Sequence, residues 1–212
     1  TVAGFGDEVQ GYAIGDRVSA LTRFGGYAEY ATTMVEGVAK LPDNIDTHIS
    51  TALATQACTA YFCSEYSVSI NKGDKVLVQA ASGGVGSIIV QIAKHHGATV
   101  FGTGSSTKMD HMRELGVDFP IDYTKEDFPS IIKDKLGENK LDFVFDSIGG
   151  LAFKQGWKLL QPGGTMVYYG AASQIGASKL KTVGMLWHFG LFSPIQLLMS
   201  SKSMVAVNML RI

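Results

Sequence analysis

The sequence predicts an α/β protein whose main part is a doubly wound parallel sheet, preceded by part of a small β-barrel-like domain. Beyond residue 72, short apolar runs alternate with helical patterns, which is the rhythm of βαβ units. Six apolar runs share this rhythm, as in a sheet of strand order 3-2-1-4-5-6. A glycine-rich loop directly follows the first run. We therefore expect a partial first domain over 1–50 and a nucleotide-binding domain over 51–212.

The first fifty residues contain short strand-like runs separated by glycine turns, without helical periodicity. The runs at 18–21, 27–31 and 38–42 are the expected strands of the partial domain. A helix is then expected over 49–64, after capping residues at 43–46.

The second region is expected to alternate between strand and helix along its whole length. Its six strands are expected at 75–80, 99–103, 119–123, 143–146, 166–169 and 204–210. Its helices are expected at 84–95, 106–115, 128–136 and 153–160. Gly116 and Gly137 close the second and third of these helices.

The loop at 80–86, Ala-Ala-Ser-Gly-Gly-Val-Gly, stands between the first strand and its helix. Gly83 and Gly84 leave room for a pyrophosphate to approach the backbone, and the amides that begin the helix can donate to its oxygens. The Ser82 hydroxyl adds a donor, and the last glycine lets the helix pack closely on the strand. Ala81 departs from the first glycine of the usual pattern. The surrounding strand and helix favour a dinucleotide site over a glycine-rich turn that binds nothing.

The end of the second strand distinguishes between the two nicotinamide dinucleotides. An NAD enzyme usually has Asp or Glu about twenty residues after the loop, where it binds the ribose 2′-hydroxyl. Here residues 102–108 read Gly-Thr-Gly-Ser-Ser-Thr-Lys, without a carboxylate. The hydroxyls of Ser105 and Ser106 and the Lys108 ammonium suit a 2′-phosphate, which predicts NADPH over NADH. Helix capping is the alternative role of the two serines.

Charge, cysteine content and hydropathy argue against several other classes of protein. The formal net charge is -1, which argues against a nucleic-acid-binding protein. Cys58 and Cys63 match no zinc-site spacing and no secreted disulfide framework, so we expect two buried thiols in a reducing, cytoplasmic compartment. The stretch 182–200 is uncharged, but its glycines and Pro194 favour amphipathic helices over a pocket or an interface rather than a membrane span.

Four motifs together resemble the medium-chain dehydrogenase/reductase superfamily, in its zinc-independent quinone oxidoreductase branch. They are Gly-Asp-Arg-Val at 15–18, Gly-Tyr-Ala-Glu-Tyr at 26–30, Thr-Ala-Tyr at 59–61 and the loop at 80–86. Residues 100–108 and Pro-Ile-Asp-Tyr at 120–123 are most similar to the subgroup of the synaptic vesicle membrane protein homologue. The resemblance implies a partial GroES-like domain, a Rossmann domain, and an NADPH-dependent reductase acting on quinones or α,β-unsaturated carbonyls.

The resemblance also implies a set of cofactor contacts, although it identifies no catalytic side chain. The implied contacts of the pyrophosphate are Ser82, Gly83, Gly84 and Val85. Those of the adenosine 2′-phosphate are Gly104, Ser105, Lys108 and Tyr123. Those of the ribose and nicotinamide are Ser147, Gly149, Tyr169, Gly170, Thr59 and, for the carboxamide, Asn208. Ordinary strand-end packing is the alternative role of Tyr123 and Tyr169.

The same resemblance argues against a metal site. Zinc-dependent relatives have a ligand cysteine four residues before the Thr-x-Tyr step, where this chain has Thr55. His95 and His96 are adjacent on a helix and point about 100° apart, which disfavours a shared metal ion. Without a Lewis acid, hydride transfer to an enone or a quinone is favoured over reduction of a simple carbonyl.

Relative to the family, we expect the chain to be part of a longer protein whose other segments supply much of the substrate pocket. The family forms dimers through the sixth strand, so the apolar run at 204–209 predicts a homodimer. A second hypothesis is a Rossmann binding protein with little or no catalysis. Its Trp187-His188-Phe189 segment would then contact a lipid or a partner.

Overall fold

The computed structural model describes residues 1–22, 25–170 and 201–207. The chain divides into two compact units, Thr1–Cys58 and Thr59–Ile212. The division falls inside a helical stretch, whereas the sequence places it at residue 51, near the start of that stretch.

The first unit contains a two-stranded antiparallel sheet. β1 (Val18–Ala20) pairs with β2 (Val38–Lys40), as the sequence predicts. The expected strand at 27–31 is wrong, because this run forms no strand and the side chains of Tyr27 and Tyr30 are exposed. An alternating run becomes a strand only beside a partner, and β1 and β2 pair only with each other in the described part of this unit.

One helical stretch runs from residue 47 to residue 66, which confirms the helix expected at 49–64. The Asp46 carboxylate starts it by accepting the His48 backbone N–H at 2.7 Å. Two π-helical segments, which the sequence did not predict, widen it. The stretch consists of α1 (Thr47–Ala52), a π-helical segment (Leu53–Ala57), α2 (Cys58–Tyr61) and a second π-helical segment (Phe62–Tyr66).

The second unit is built on a six-stranded parallel sheet of order β5-β4-β3-β6-β7-β8. Its strands are β3 (Lys75–Val78), β4 (Thr99–Gly104), β5 (Phe119–Asp122), β6 (Leu141–Asp146), β7 (Leu160–Tyr168) and β8 (Ser203–Ala206). Numbered within the sheet, this order is 3-2-1-4-5-6, which confirms the doubly wound fold.

Both faces of this sheet are buried. Val76 and Val78 of β3 belong to one buried apolar cluster, whereas Leu77 between them belongs to another. Successive residues of a strand point to opposite faces, so the two clusters are the two layers of core between sheet and helices. The helices are α3 (Gly84–His95), α4 (Met109–Glu114), α5 (Phe128–Leu136) and α6 (Gly150–Leu159).

The structure differs from the sequence prediction at several element boundaries. The helix expected at 106–115 is a 3-10 turn, Ser106–Lys108, followed by α4. β7 begins at Leu160, directly after α6, and accommodates Gly163 and Gly164 through a shift in its pairing with β6. A Cβ at Gly164 would lie 3.0 Å from the Asp142 carbonyl oxygen, so this close approach of β6 and β7 favours glycine. The predicted residues 208–210 of the last strand lie outside the described residues.

Three further expectations concern single segments. Cys63 is buried, but Cys58 is exposed, so the expectation of two buried thiols is wrong for Cys58. Of the two adjacent histidines considered as metal ligands, His96 contacts a carboxylate instead: its Nε2 lies 2.7 Å from Glu65 Oε1. In the described part of the chain, no helix has both the length and the apolar character needed to cross a bilayer. The stretch 182–200, with Trp187, lies outside the described residues.

Candidate functional site

The strand ends named from the sequence meet at one edge of the sheet, because all six strands are parallel. The glycine loop (80–86) follows β3, residues 105–108 follow β4, and residues 147–149 follow β6. Val78 pairs with Gly102 on one side and with Phe145 on the other, so the end of β3 lies between those of β4 and β6. Here the connections diverge in opposite directions, which is where doubly wound sheets bind their ligands.

The glycine loop owes its shape to close approaches between backbone atoms. A Cβ at Gly86 would collide with the carbonyl oxygen of Ala80, so only glycine fits there. Gly83 is the N-cap of α3, and its own N–H donates to the Ala80 carbonyl at 2.9 Å. Gly83 and Gly84 are exposed, and the Ser87 N–H makes a 2.8 Å bond to the Gly83 carbonyl. The amides of Gly84, Val85 and Gly86 precede the hydrogen-bond ladder of the helix and can donate to an anion.

The end of β4 fixes the same loop from the side. The Ala81 N–H donates to the Thr103 carbonyl at 2.9 Å, and the Ala80 N–H donates to Thr103 Oγ1 at 3.2 Å. Thr103 Oγ1 in turn donates to Gln79 Oε1 at 2.6 Å. A Cβ at Gly102 would lie 2.8 Å from the Ala81 Cβ, so β4 and the loop touch only because Gly102 has no side chain. The remaining loop residues of the expected site are half-buried: Ser82 and Val85.

The residues after β4 lie beside the loop. Gly104 is buried, and a Cβ there would lie 2.8 Å from the Met112 Cε. Ser105 precedes the turn Ser106–Lys108, and its side chain does not cap that turn. Ser106 donates to a carboxylate, and Lys108 is exposed. The helix-capping alternative for the two serines is therefore wrong. The Ser106 hydroxyl donates to the carboxylate, and the Ser105 hydroxyl lies 3.4 Å from that of Thr107.

The carboxylate that Ser106 contacts is Asp122, which the sequence analysis did not identify. It ends β5, pairs in register with Gly104, and is only 6% exposed. Its oxygens accept the Ser106 hydroxyl, the Thr124 N–H at 3.0 Å and the Thr124 hydroxyl at 2.6 Å. The Ser106 bond, followed by the Thr124 hydroxyl, holds the pKa of Asp122 below its usual range. We call Ser106, Asp122 and Thr124 the hydroxyl–carboxylate cluster.

The two tyrosines of the expected site differ in their surroundings. Tyr123 is 59% exposed, so strand-end packing is not its role. Tyr169 is buried in the same apolar cluster as Cys63 and Val167, so packing does describe it. Burial raises the pKa of Tyr169, whose hydroxyl is hydrogen-bonded to Ser147. Burial likewise raises the pKa of the Cys63 thiol to about 12.

The end of β6 is shaped by a buried carboxylate as well. Asp146 is fully buried, and its Oδ1 accepts the backbone N–H groups of Ile148 and Gly149, each at 2.7 Å. Its Oδ2 has no hydrogen-bond partner among the described residues. Burial raises the pKa of Asp146 despite the two donors. A Cβ at Gly170 would lie 3.1 Å from the Ser147 carbonyl oxygen, so the ends of β6 and β7 are in close contact.

The last expected contacts lie on other elements. Thr59 is buried in α2, next to Ala60, which shares the apolar cluster of Tyr169. Asn208 lies outside the described residues. Thr55 lies in the first π-helical segment (Leu53–Ala57), which belongs to the first unit. No group of three potential metal ligands occurs among the residues that the structure describes.

The chain is similar in sequence and structure to several known proteins. Residues 84–210 match the family model described as zinc-binding dehydrogenase. The synaptic vesicle membrane protein VAT-1 of Tetronarce californica is 31% identical over 98% of this chain and 56% of its own length. The Escherichia coli quinone oxidoreductase complexed with NADPH superposes with a TM-score of 0.81 at 26% identity, covering 98% of this chain and 60% of that one.

This chain belongs to the medium-chain dehydrogenase/reductase superfamily, in its zinc-independent, quinone-oxidoreductase-like branch.

Two other members of the superfamily are oxidoreductases by name. A probable quinone oxidoreductase of Schizosaccharomyces pombe is 33% identical over 81% of this chain and 52% of its own length. The 2-haloacrylate reductase of a Burkholderia species is 33% identical over 80% of this chain and 52% of its own length. The chain therefore spans about half the length of the curated relatives that it matches. Membership of this branch supports an oxidoreductase.

Proposed function

We propose that the chain carries the cofactor-binding part of an NADPH-dependent, zinc-independent oxidoreductase, which transfers a hydride to a quinone or to an α,β-unsaturated carbonyl compound. The names of the relatives support both substrate classes, since quinone oxidoreductases and a reductase of a haloacrylate are among them. Quinones and α,β-unsaturated carbonyl compounds both contain an electron-poor carbon conjugated to a carbonyl group. Such a carbon can accept a hydride without help from a metal ion.

The observation that carries the proposal is the glycine loop at the start of α3. Gly83 and Gly84 are exposed at the N-terminus of a helix of twelve residues, with no side-chain cap to compete for the amides. The partial positive charge of such a helix end, together with its unpaired N–H groups, suits a pyrophosphate. The donors and the open backbone of the loop thus fit a dinucleotide.

The choice of NADPH rests on the ends of β4 and β5. Lys108 and Tyr123 are exposed there and can meet a phosphate, with the hydroxyl of Ser105 beside them. A carboxylate that binds a ribose 2′-hydroxyl needs a free oxygen lone pair. The oxygens of Asp122 already accept three hydrogen bonds from Ser106 and Thr124, out of about four that a carboxylate can accept, so too few remain for both hydroxyls of a ribose.

The bound dinucleotide supplies the hydride, and the chain supplies its binding and orientation. Ser147 and Gly149 follow β6, and Gly170 follows β7 close to Ser147. We propose that these three residues, the strand-end wall, face the ribose and nicotinamide. Asp146 fixes this wall through its two backbone hydrogen bonds. Tyr169 is buried with its hydroxyl bonded to Ser147, so it supports the wall and is not offered as an acid.

We also propose a homodimer that forms through β8. In the described residues β8 is the outermost strand of the sheet, paired only with β7. An unpaired strand edge can add a strand from a second copy. Light scattering at working concentration is expected to give twice the chain mass, and a monomer would contradict this part of the proposal.

The test of the cofactor is a titration of the purified protein with NADPH and NADH, followed by thermal shift and by ligand fluorescence. We expect both to bind and NADPH to bind at least about tenfold more tightly, as one charge-assisted contact would give. Equal affinities contradict the NADPH assignment, and no binding of either contradicts the dinucleotide site. Loss of NADPH absorbance with quinones and enones then tests the reaction. Binding without turnover would favour the non-catalytic hypothesis.

A further inference from the structure

The hydroxyl–carboxylate cluster places a buried negative charge at the end of β5, next to the end of β4. Asp122 pairs in register with Gly104, the residue that precedes Ser105. The residues expected at a 2′-phosphate flank it on both sides, since Tyr123 is its neighbour in the chain and Ser106 its hydrogen-bond donor.

The cluster is ionised and already satisfied. The lowered pKa of Asp122 means that the carboxylate carries its charge at neutral pH. Besides the hydroxyls and the Thr124 N–H, the Lys125 ammonium lies 3.8 Å from Asp122 Oδ2. The backbone N–H of Asp122 donates to Glu126 Oε2 at 2.9 Å, so a second carboxylate stands close by.

Two consequences follow for a phosphate at this edge. A fixed carboxylate repels a phosphate dianion within several ångströms, and the repulsion is larger near a protein surface than in bulk water. The same carboxylate attracts the exposed Lys125 ammonium, 3.8 Å away, and so competes with a phosphate for this cation. Neither effect touches a ribose 2′-hydroxyl, which is uncharged.

We propose that Asp122 is a specificity-determining residue that limits how strongly the protein prefers dinucleotides with a 2′-phosphate over those with a 2′-hydroxyl. This inference rests on the proposed cofactor. Asp122 opposes the phosphate by its charge and competes with it for the exposed Lys125 ammonium, whereas Lys108 attracts the phosphate. The balance of these charges sets the ratio of the NADPH and NADH affinities. The glycine loop contributes the part of the affinity that is the same for both dinucleotides.

The test is the ratio of dissociation constants for NADPH and NADH in Asp122→Asn, measured by ligand fluorescence. The amide keeps the size of the side chain and one acceptor oxygen, but it removes the charge. We expect NADPH to bind roughly three- to tenfold more tightly than in the unaltered protein, with NADH changed less than about twofold. Asp134→Asn, which removes one exposed charge from α5, is the matched control and is expected to leave the ratio unchanged.

A fragment probe isolates the phosphate. Adenosine 2′,5′-bisphosphate is expected to gain from Asp122→Asn as NADPH does, and adenosine 5′-monophosphate is expected to gain nothing. A second variant, Lys125→Ala, changes an exposed side chain and keeps the proposal testable if Asp122→Asn does not fold. It leaves the carboxylate unneutralised, so NADPH binding is expected to weaken about two- to threefold while NADH binding does not change.

The outcomes separate this inference from the proposed function. If the unaltered protein binds neither dinucleotide, the proposed function fails. If it prefers NADPH but Asp122→Asn shifts both affinities equally, or shifts neither, Asp122 does not determine specificity. A weakened NADPH affinity in folded Asp122→Asn would show that the carboxylate supports the phosphate site, which also overturns the inference.

Discussion

The glycine loop and the hydroxyl–carboxylate cluster lie at the same edge of one sheet but are built in different ways. The loop is fixed by backbone atoms that approach too closely for a side chain, as at Gly86 and Gly102. The cluster is fixed by side-chain hydrogen bonds around one charge, that of Asp122. A site built from backbone tolerates few substitutions and serves any dinucleotide. A site built from side chains can change its preference by single substitutions.

The largest expected effect comes from placing a side chain in the loop. In Gly86→Ala the new Cβ meets the Ala80 carbonyl, so either α3 or β3 must shift. We expect the free energy of unfolding to fall by about 2–3 kcal/mol and both dinucleotides to lose affinity together. Urea unfolding and parallel titrations measure this. Gly6→Ala, where nothing lies within 4 Å of the added Cβ, is the control. A selective loss of one dinucleotide would break the distinction between loop and cluster.

The next effect comes from the hydroxyl that ties the loop to β4. Thr103→Val removes the donor to Gln79 Oε1 and the acceptor of the Ala80 N–H, while it keeps the shape of the side chain. Since Gln79 is buried, we expect the free energy of unfolding to fall by about 1–3 kcal/mol. NADPH and NADH are expected to weaken by equal factors. Thr99→Val, at the half-buried start of the same strand, is a control for the exchange itself.

A smaller and selective effect is expected from the exposed ammonium beside the cluster. Lys108→Ala leaves the folded chain unchanged but removes a cation from the proposed phosphate site, so NADPH is expected to weaken about five- to tenfold. NADH should change less than about twofold, and Lys133→Ala on α5 should affect neither. Titrations at low and at high salt add a further check, because the selective loss should shrink as salt screens the charge.

The smallest expected effect is a difference in pH dependence between two buried carboxylates. Burial raises the pKa of Asp146 above 3.8, so its contribution to stability is largest below that pH and is lost as the pH rises through the folded-state value. Hydrogen bonds lower the pKa of Asp122, so its contribution is present above 3.8 and is lost as the pH falls. The free energy of unfolding is measured by urea unfolding across acid and neutral pH for the unaltered protein, Asp146→Asn and Asp122→Asn. The difference between each variant and the unaltered protein should change with pH in opposite directions for the two variants. Parallel slopes would contradict the account of one of the two carboxylates.

The sequence predicts the loop well because its determinants are local. The run 80–86, the apolar strand before it and the helix after it are contiguous, so one stretch of chain contains the whole motif. The order of the strands also follows from the alternation of elements. These features need no knowledge of distant contacts.

The cluster could not be predicted in the same way, because its members come from two strand ends. Ser106 and Asp122 are sixteen residues apart in sequence and meet only when β4 and β5 pair. The usual sequence rule looks for a carboxylate at the end of the second strand of the sheet. It does not consider the end of the third strand, where Asp122 lies. The early start of β7 and the buried position of Tyr169 likewise depend on pairing with β6 and on packing with Cys63.

Ala80 has a positive φ of 52°, a conformation that an L-residue other than glycine adopts at a cost of about 1 kcal/mol. Hydrogen bonds donated by the backbone N–H groups of Ala80, Ala81 and Gly83 stabilise this conformation. Order of this kind is present before a ligand arrives, so little conformational entropy is lost when the ligand binds. Calorimetry of cofactor binding should accordingly report a small entropic penalty for the loop. If the loop binds the pyrophosphate as proposed, substitutions at the strand ends can change the cofactor preference while the backbone of the loop stays the same.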